Sequence, residues 1–351
     1  MSTRYTVGLI GCGRMGATID DEVRDHPHNF LWLPYSHAAG YSAVDRTQLV
    51  AVADVEADRA ERIRNRYNAR AAYTDYREMI EREHPDIVSI ATRPATHAEI
   101  TVFAAEHGVK AIYCEKPLCC SLAEADQMVE ACERHGVHFN YGAQRRYMPL
   151  FRKIREIAHS GALGTTDCLI GHCGVGSAQW THTHTTDMLL FLANDADIEW
   201  VQGFIVAKPD DWEAEQLNTD PGITSAYFRF VNGIHAYIVA GGGFEFEVSG
   251  PLGKLRTLNN GDVAQWRKQT EPWRTLKEMP FPDVTHASGT VNGILDIVHA
   301  LDTDSETAGN IRIARKSQEM IFSVIESHRR GGAGVRMPLD SRTVYVGRKD
   351  W

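Results

Sequence analysis

The sequence predicts an α/β chain: an N-terminal doubly wound parallel sheet followed by an α+β domain built on a large, mostly antiparallel open sheet. Three observations predict it. Strand and helix signals alternate through residue 142, as right-handed βαβ units require. A glycine-spaced loop follows the first apolar strand. After residue 142, strand-like runs follow one another with few helices between them. The expected division is 1–142 and 143–351.

Residues 7–10 form a short apolar run that reads as a buried parallel strand. Gly11, Gly13 and Gly16 follow in G-x-G-x-x-G spacing. Gly11 permits a tight turn, Gly13 lets backbone approach a pyrophosphate, and Gly16 lets a helix pack closely on the strand. The first helical N–H groups would face a diphosphate. A Rossmann dinucleotide site is therefore expected, with Arg14 and Met15 among its contacts. Such a loop usually runs straight into a helix. Here residues 17–36 intervene before a helix-like HAAGY at 37–41. This insertion, with Phe30, Leu31, Trp32 and Leu33 between Pro27 and Pro34, reads either as a surface loop packing its own aromatics or as a flap over a ligand.

Residues 48–54 (QLVAVAD) are an apolar strand ending in Asp54. Helices are expected at 56–67, 75–83, 96–107 and 121–135, and strands at 86–91, 110–114 and 137–141. The 121–135 helix opens on Ser121 with Glu124 three residues on, a capping box. In the second part, 149–160 reads as a helix. Strands are expected at 166–174, 199–207, 225–231, 234–240, 244–248 and 254–258, with Asn-Gly hairpin signals at 232–233 and within 259–261. Helices at 291–301 and 311–329 close the chain.

Composition narrows the function classes. The chain has 351 residues, 43% apolar and 24% charged, long enough for large cores without disulfides. A net charge of −9 and no long basic run argue against nucleic acid and anionic membrane as partners. No signal peptide or apolar stretch near 18 residues is visible, so a cytoplasmic protein is expected. The seven cysteines lack C-x-x-C pairs and read as reduced thiols. Cys119 and Cys120 are either redox-active or small residues in a turn.

Asp54 sits where an acid hydrogen-bonds the adenosine ribose and repels a 2′-phosphate; Val55 follows it, not Arg or Ser. NAD is favoured over NADP. Asp54 also suits capping of the next helix. Glu115-Lys116-Pro117 ends the fifth strand, where ligands bind in open α/β sheets. Lys116 would project its ammonium from the sheet edge, or else form a surface ion pair.

These features resemble the glucose–fructose oxidoreductase and myo-inositol dehydrogenase (Gfo/Idh/MocA-type) family. The resemblance is carried by GCGRMG at 11–16, LVAVAD at 49–54, THAEI at 96–100, CEKPL at 114–118, RRYMPLF at 145–151, THTTDMLLFL at 183–192 and the tail SHRRGGAGVRMPL. It implies that Lys116 and His184 are catalytic, with Asp187 following the histidine. An imidazole near neutrality suits removal of a hydroxyl proton, and a lysine stabilises the developing alkoxide. His184 and Asp187, three apart, share a helix face; Asp187 either orients the imidazole or caps the helix. Thr92, Pro94 and His97, with Glu115 and Lys116, would complete the cofactor set. Arg93 faces an anion or solvent.

One departure stands out: the family's acid four residues before the histidine falls on Trp180. Trp180 either stacks on a sugar face or packs a loop end. His182 supplies a second acid/base or a hydrogen bond to substrate, or faces solvent. His172, His182 and His184 are not expected to hold a metal. Of Arg145, Arg146, Tyr147 and Tyr141, one is expected to line a substrate cleft, with Arg145 and Tyr147 the tentative choices.

The resemblance implies an NAD-dependent oxidoreductase acting on a secondary alcohol of a sugar, sugar derivative or cyclitol, as a homodimer or homotetramer. The alternative is an NAD-retaining glycosidase, lyase or epimerase working through transient oxidation. A third reading is a non-catalytic NAD or sugar sensor.

Overall fold

The computed structural model describes residues 3–273, 275–348 and 351. The chain divides into two compact units. The first runs to Tyr147 and adds Ala287–Arg315 and Trp351; the second is Met148–His286 with the segment from Lys316.

The first unit alternates β1 (Tyr5–Ile10), α1 (Ile19–Val23), α2 (His37–Ala43), β2 (Thr47–Ala53), α3 (Ala57–Tyr67), β3 (Ala71–Tyr73), α4 (Tyr76–Glu83), β4 (Ile87–Ile90), α5 (His97–Glu106), β5 (Ala111–Cys114), α6 (Leu122–His135) and β6 (His138–Tyr141). All its strand pairs are parallel, in the order β3-β2-β1-β4-β5-β6. The order reverses between β1 and β4, so the loops leaving these two strands open a crevice at the carboxyl edge. The strands are apolar on both faces because both are covered, as a parallel sheet demands. One core contains Ile10, Val88, Ile112, Ala104 and Met128; the other contains Val7, Leu9, Val52, Tyr41 and Ile63. The capping box of α6 forms, Ser121 Oγ accepting from Glu124 N and Glu124 accepting from Ser121 N. Such caps contribute about 1 kcal/mol.

The stretch 17–36 differs from its expected reading. Arg14–Thr18 is a π-helical turn that runs on into α1, so the glycine loop enters a helix after all. The sequence hides this helix because it is short and carries Asp20, Asp21 and Glu22 instead of an apolar repeat. The inserted part begins after α1. Its rings pack on one another: His26 lies 5.1 Å from Trp32, and Trp32 stacks on Tyr35 at 6.2 Å. Leu31 is fully buried. The Asp20 carboxylate accepts from Tyr35 N (2.8 Å) and Ser36 N (2.9 Å), and Ser36 then caps α2. These bonds fix the loop's end on its own helix, which is what the local-packing alternative expects.

The second unit contains α7 (Pro149–His159), β7 (Cys168–His172), α8 (His182–Leu192), β8 (Ile198–Val206), β9 (Trp212–Glu213), β10 (Gln216–Leu217), β11 (Gly222–Phe230), β12 (His235–Val239), β13 (Glu245–Gly250), β14 (Gly253–Leu258), β15 (Val263–Gln269) and β16 (Leu276–Met279). The chain continues through α9 (Gly289–Thr303), α10 (Ile311–Arg329), β17 (Val335–Arg336) and β18 (Tyr345–Val346). Nine strands form one sheet, β16-β15-β14-β13-β7-β12-β11-β8-β17, antiparallel except where β7 meets β12. Asn259, Asn260 and Gly261 all adopt positive φ in the β14–β15 turn, as the sequence signal requires. One sheet face packs on helices: Gly171 lies against Thr185 of α8, and Gly203 against Val324 of α10.

The expected contiguous boundary at 142/143 is incomplete. Helix α9 belongs with the first unit, where Ile294, Ile297 and Val298 fill the core beside Val7 and Leu9. No helix among the described residues is long and apolar enough to cross a membrane.

Candidate active site

The glycine loop is built by crowding at two positions and by space at the third. Gly11 has φ +90°, and a Cβ there would lie 2.6 Å from Ala91 O. A Cβ at Gly16 would lie 1.9 Å from Gly11 O, so only glycine lets the helix approach β1. A Cβ at Gly13 would meet nothing within 4 Å. The protein's own packing does not require glycine there; a ligand pressed against the loop would. That bare surface fits a dinucleotide's phosphates. Arg14 is exposed and Met15 half-buried beside it.

Asp54, at the end of β2, is buried and ties the loop down. Its Oδ2 accepts from Cys12 N at 2.8 Å, and its Oδ1 accepts from Glu56 N at 3.0 Å. Arg59 Nη1 lies 3.2 Å from Oδ1, while Arg59 Nη2 pairs with Glu56 at 2.6 Å. Asp54 thus holds the glycine loop and receives the N–H two residues on; the N-cap of α3 is Glu56, not Asp54.

Thr92 and Pro94 follow β4. Arg93 between them is exposed. His97 is fully buried; its Nδ1 lies 2.9 Å from Pro117 O and its Nε2 3.3 Å from Thr92 O. Burial pushes its pKa below the usual histidine value, so a neutral ring donates from Nδ1 to Pro117. His97 stitches the loop after β4 to the loop after β5. Both of its ring nitrogens face backbone carbonyls.

Glu115 and Lys116 follow directly on β5. Lys116 is half-buried and Glu115 is buried. Glu115 Oε1 is 3.1 Å from His37 Nε2, and Oε2 accepts from Lys116 N at 3.2 Å. Burial would push this carboxyl up, but the His37 bond and the nearby His37 and Lys116 charges outweigh it and hold the pKa below the ordinary carboxylate value. Gly142 leaves the room: a Cβ there would sit 3.0 Å from Glu115 Oε1. His37 and Ser89 escaped sequence reasoning. A polar residue inside the apolar strand DIVSIA was the available signal.

Arg145 is nearly buried. Arg146 is wholly buried, and its Nη1 donates to Ala308 O at 2.8 Å. Tyr147 is also wholly buried; its hydroxyl donates to Asn140 Oδ1 at 2.5 Å and lies 3.3 Å from Asp296. Tyr147, expected as a substrate contact, is thereby a packing residue of the first unit.

In the second unit, α8 spans eleven residues, and ten of them are buried; His184 alone stays half-open. Its ring meets Phe244 edge-on at 6.3 Å. Asp187 is buried in the next turn, on the same face. Trp180 is 40% exposed, and its N–H donates to Asp220 at 2.9 Å. His182 departs from expectation. It is fully buried, Nδ1 lies 3.1 Å from Thr185 Oγ1, and burial pulls its pKa down to about 4. Buried and neutral, the ring neither faces solvent, as one alternative had it, nor carries a proton to give as a second acid. No cluster of three metal-ligating side chains occurs among the described residues.

Residues 5–143 match the family described as an oxidoreductase family with an NAD-binding Rossmann fold, GFO_IDH_MocA. Over 248 residues the chain is 31% identical to the inositol 2-dehydrogenase of Salmonella paratyphi B, covering 66% of this chain and 68% of that one. The chain belongs to the Gfo/Idh/MocA oxidoreductase family. The myo-inositol 2-dehydrogenase of Thermotoga maritima is 30% identical over 158 residues, 45% of this chain. That match spans 42% of the Thermotoga enzyme, less than half its length. An NAD-binding oxidoreductase from Klebsiella pneumoniae shares the fold, with a TM-score of 0.76 at 21% identity, covering 96% of this chain and 100% of that one. The glycine loop, Asp54 and the Glu115–Lys116 corner all lie within the stretch matched to the NAD-binding Rossmann fold.

Proposed function

We propose that this Gfo/Idh/MocA member is an NAD-dependent oxidoreductase that moves a hydride between a secondary alcohol of a cyclitol or sugar and the nicotinamide. The observation that carries the reading is the corner after β5. Lys116 stands half-buried at the sheet's carboxyl edge, two strands from the glycine loop, with an ionised carboxylate fixed behind it. The bound nicotinamide supplies the hydride acceptor. Lys116 holds the substrate oxygen and stabilises its negative charge. His184 takes the hydroxyl proton while the carbinol C–H leaves with its electron pair and the C=O bond forms. Trp180, exposed in place of an acid, offers a flat apolar face to a ring.

The buried Asp54 carboxylate, which ties down the loop at the end of β2, supports NAD over NADP. No disulfide joins the seven cysteines, which supports a reducing, cytoplasmic setting. On the sheet face away from α8 and α10, Trp200 meets Tyr227 at 5.4 Å, and Tyr227 meets Tyr237 at 5.2 Å. A second copy of the chain covers this aromatic ladder, which light scattering on the purified protein checks.

The test is turnover of a panel of inositols and sugars with NAD and NADP. Reduced cofactor is expected with at least one cyclitol or sugar, and Lys116→Ala and His184→Asn are each expected to lose about a hundredfold or more in kcat. A substrate turned over equally well by Lys116→Ala would overturn the assignment.

A further inference from the structure

Beneath Lys116 lies a chain of buried polar groups that the proposed reaction does not itself use. His37, at the first turn of α2, is 1% exposed, and its ring stacks on Tyr113 of β5 at 4.6 Å. Its Nδ1 is 2.8 Å from Ser89 Oγ on β4. Its Nε2 is 3.1 Å from Glu115 Oε1. The other carboxylate oxygen, Oε2, accepts from the backbone N–H of Lys116. Three elements therefore converge on one carboxylate, and that carboxylate grips the main chain of the residue assigned to catalysis.

A buried carboxylate lacking such partners takes up a proton and turns away. Here one oxygen has a single side-chain partner shown by geometry, His37, held in place by Ser89 and by the Tyr113 ring. Other titratable groups near Glu115 are Tyr113, Cys114 and Lys116 on its own strand and loop, His97 from α5 and Tyr35 from the insertion, which Arg145 faces in turn. Burial raises the pKa of Tyr113, Cys114 and Tyr35, keeping them neutral. Burial keeps His97 neutral as well. Lys116 is the cationic side chain whose charge favours the ionised Glu115.

We propose that His37 is a positioning residue: with Ser89 behind it, it fixes the ionised Glu115 carboxylate beneath Lys116 and so sets the direction and the proton affinity of the Lys116 amine. The importance of Lys116 rests on the function proposed above, but the coupling of His37 to Lys116 does not. A fixed anion favours the ammonium form of its neighbour. Releasing that anion, or letting it protonate, lowers the Lys116 midpoint and exposes more free amine at a given pH.

The experiment measures acylation of Lys116 by acetic anhydride in the full-length protein, with no substrate or cofactor, from pH 7 to pH 10, mapped by peptide mass spectrometry. In His37→Leu the Lys116 midpoint is expected to fall by about half a unit or more, which makes labelling at pH 8 about threefold faster than in the wild type. His37→Gln, whose amide N–H reaches toward Glu115, is expected to restore a near-wild-type profile. Circular dichroism and thermal unfolding confirm that each variant is folded. Should His37→Leu not fold, His37→Asn, polar but too short to reach Glu115, carries the same expectation. A folded His37→Leu or His37→Asn with the wild-type Lys116 profile overturns the proposal. Loss of the hydride-transfer reading, through an active Lys116→Ala enzyme, would leave this labelling result standing.

Discussion

Alanine at Gly13 and alanine at Gly16 separate a glycine shaped by a ligand from one shaped by the fold. At Gly16 an added Cβ sits 1.9 Å from Gly11 O, a backbone atom that no rotamer change can move aside. The helix must lift from β1, an overpacking cost of about 1–3 kcal/mol or more. That cost lowers the melting temperature by roughly 2–4 °C per kcal/mol in a unit of this size. At Gly13 the backbone has φ −80°, open to any residue, and the new methyl meets nothing within 4 Å. Gly13→Ala is expected to stay within about 0.5 kcal/mol of the wild type. Its methyl instead fills the space assigned to the diphosphate, so NADH affinity should drop at least tenfold, about 1.4 kcal/mol. Thermal unfolding followed by circular dichroism reads the first quantity, and NADH titration followed by fluorescence reads the second. A stable Gly13→Ala protein that binds NADH as tightly as the wild type would refute the loop's assignment.

Other outcomes follow from the same geometry. Asp54→Ala removes the acid proposed to face the ribose and should shift the NAD-to-NADP preference toward NADP by about tenfold or more, read as a ratio of kcat/KM values. It should also loosen the loop, because Cys12 N loses its acceptor. His182 binds its proton less readily when folded, with a pKa near 4 against about 6.5 unfolded. The unfolded chain therefore takes up more protons between those values. Stability from this group is complete above about pH 6.5 and is lost as pH falls toward 4, on the order of 3 kcal/mol in all. Denaturant unfolding from pH 7 to pH 4 should show that loss, and His182→Gln should flatten it; an equal slope in both proteins would contradict the buried neutral ring.

Much of this architecture was legible in the sequence, for reasons that can be named. The strands of the first unit are buried on both faces, so they stand out as apolar runs, and Ser121 with Glu124 announced α6 by its cap. Helix α10 covers the residues expected for it. Strands β15 and β16, the last two at one end of the sheet, were missed because VAQWRKQ and LKEM are half-exposed and carry no apolar rhythm. Helix α1 was missed because acids, not an apolar stripe, fill it. The return of α9 to the first unit is a tertiary fact that local pattern does not encode. At the site, Gly11 and Gly16 act as their spacing implied, whereas His182 was chosen for its place two residues before His184 and Tyr147 for its place where the chain crosses between the expected domains. Burial, invisible in one sequence, takes the acid role from the first and the cleft role from the second. His37 carried no motif; only the fold brings α2, β4 and β5 together around Glu115.

The most direct measurement follows a deuterium atom. A cyclitol or sugar accepted by the enzyme, deuterated at the reacting carbinol carbon, is oxidised with unlabelled NAD, and the reduced cofactor is weighed by mass spectrometry. Direct hydride transfer predicts one deuterium in the reduced nicotinamide for every ketone formed. Deuterium released to water, or product formed without reduced cofactor accumulating, would contradict it.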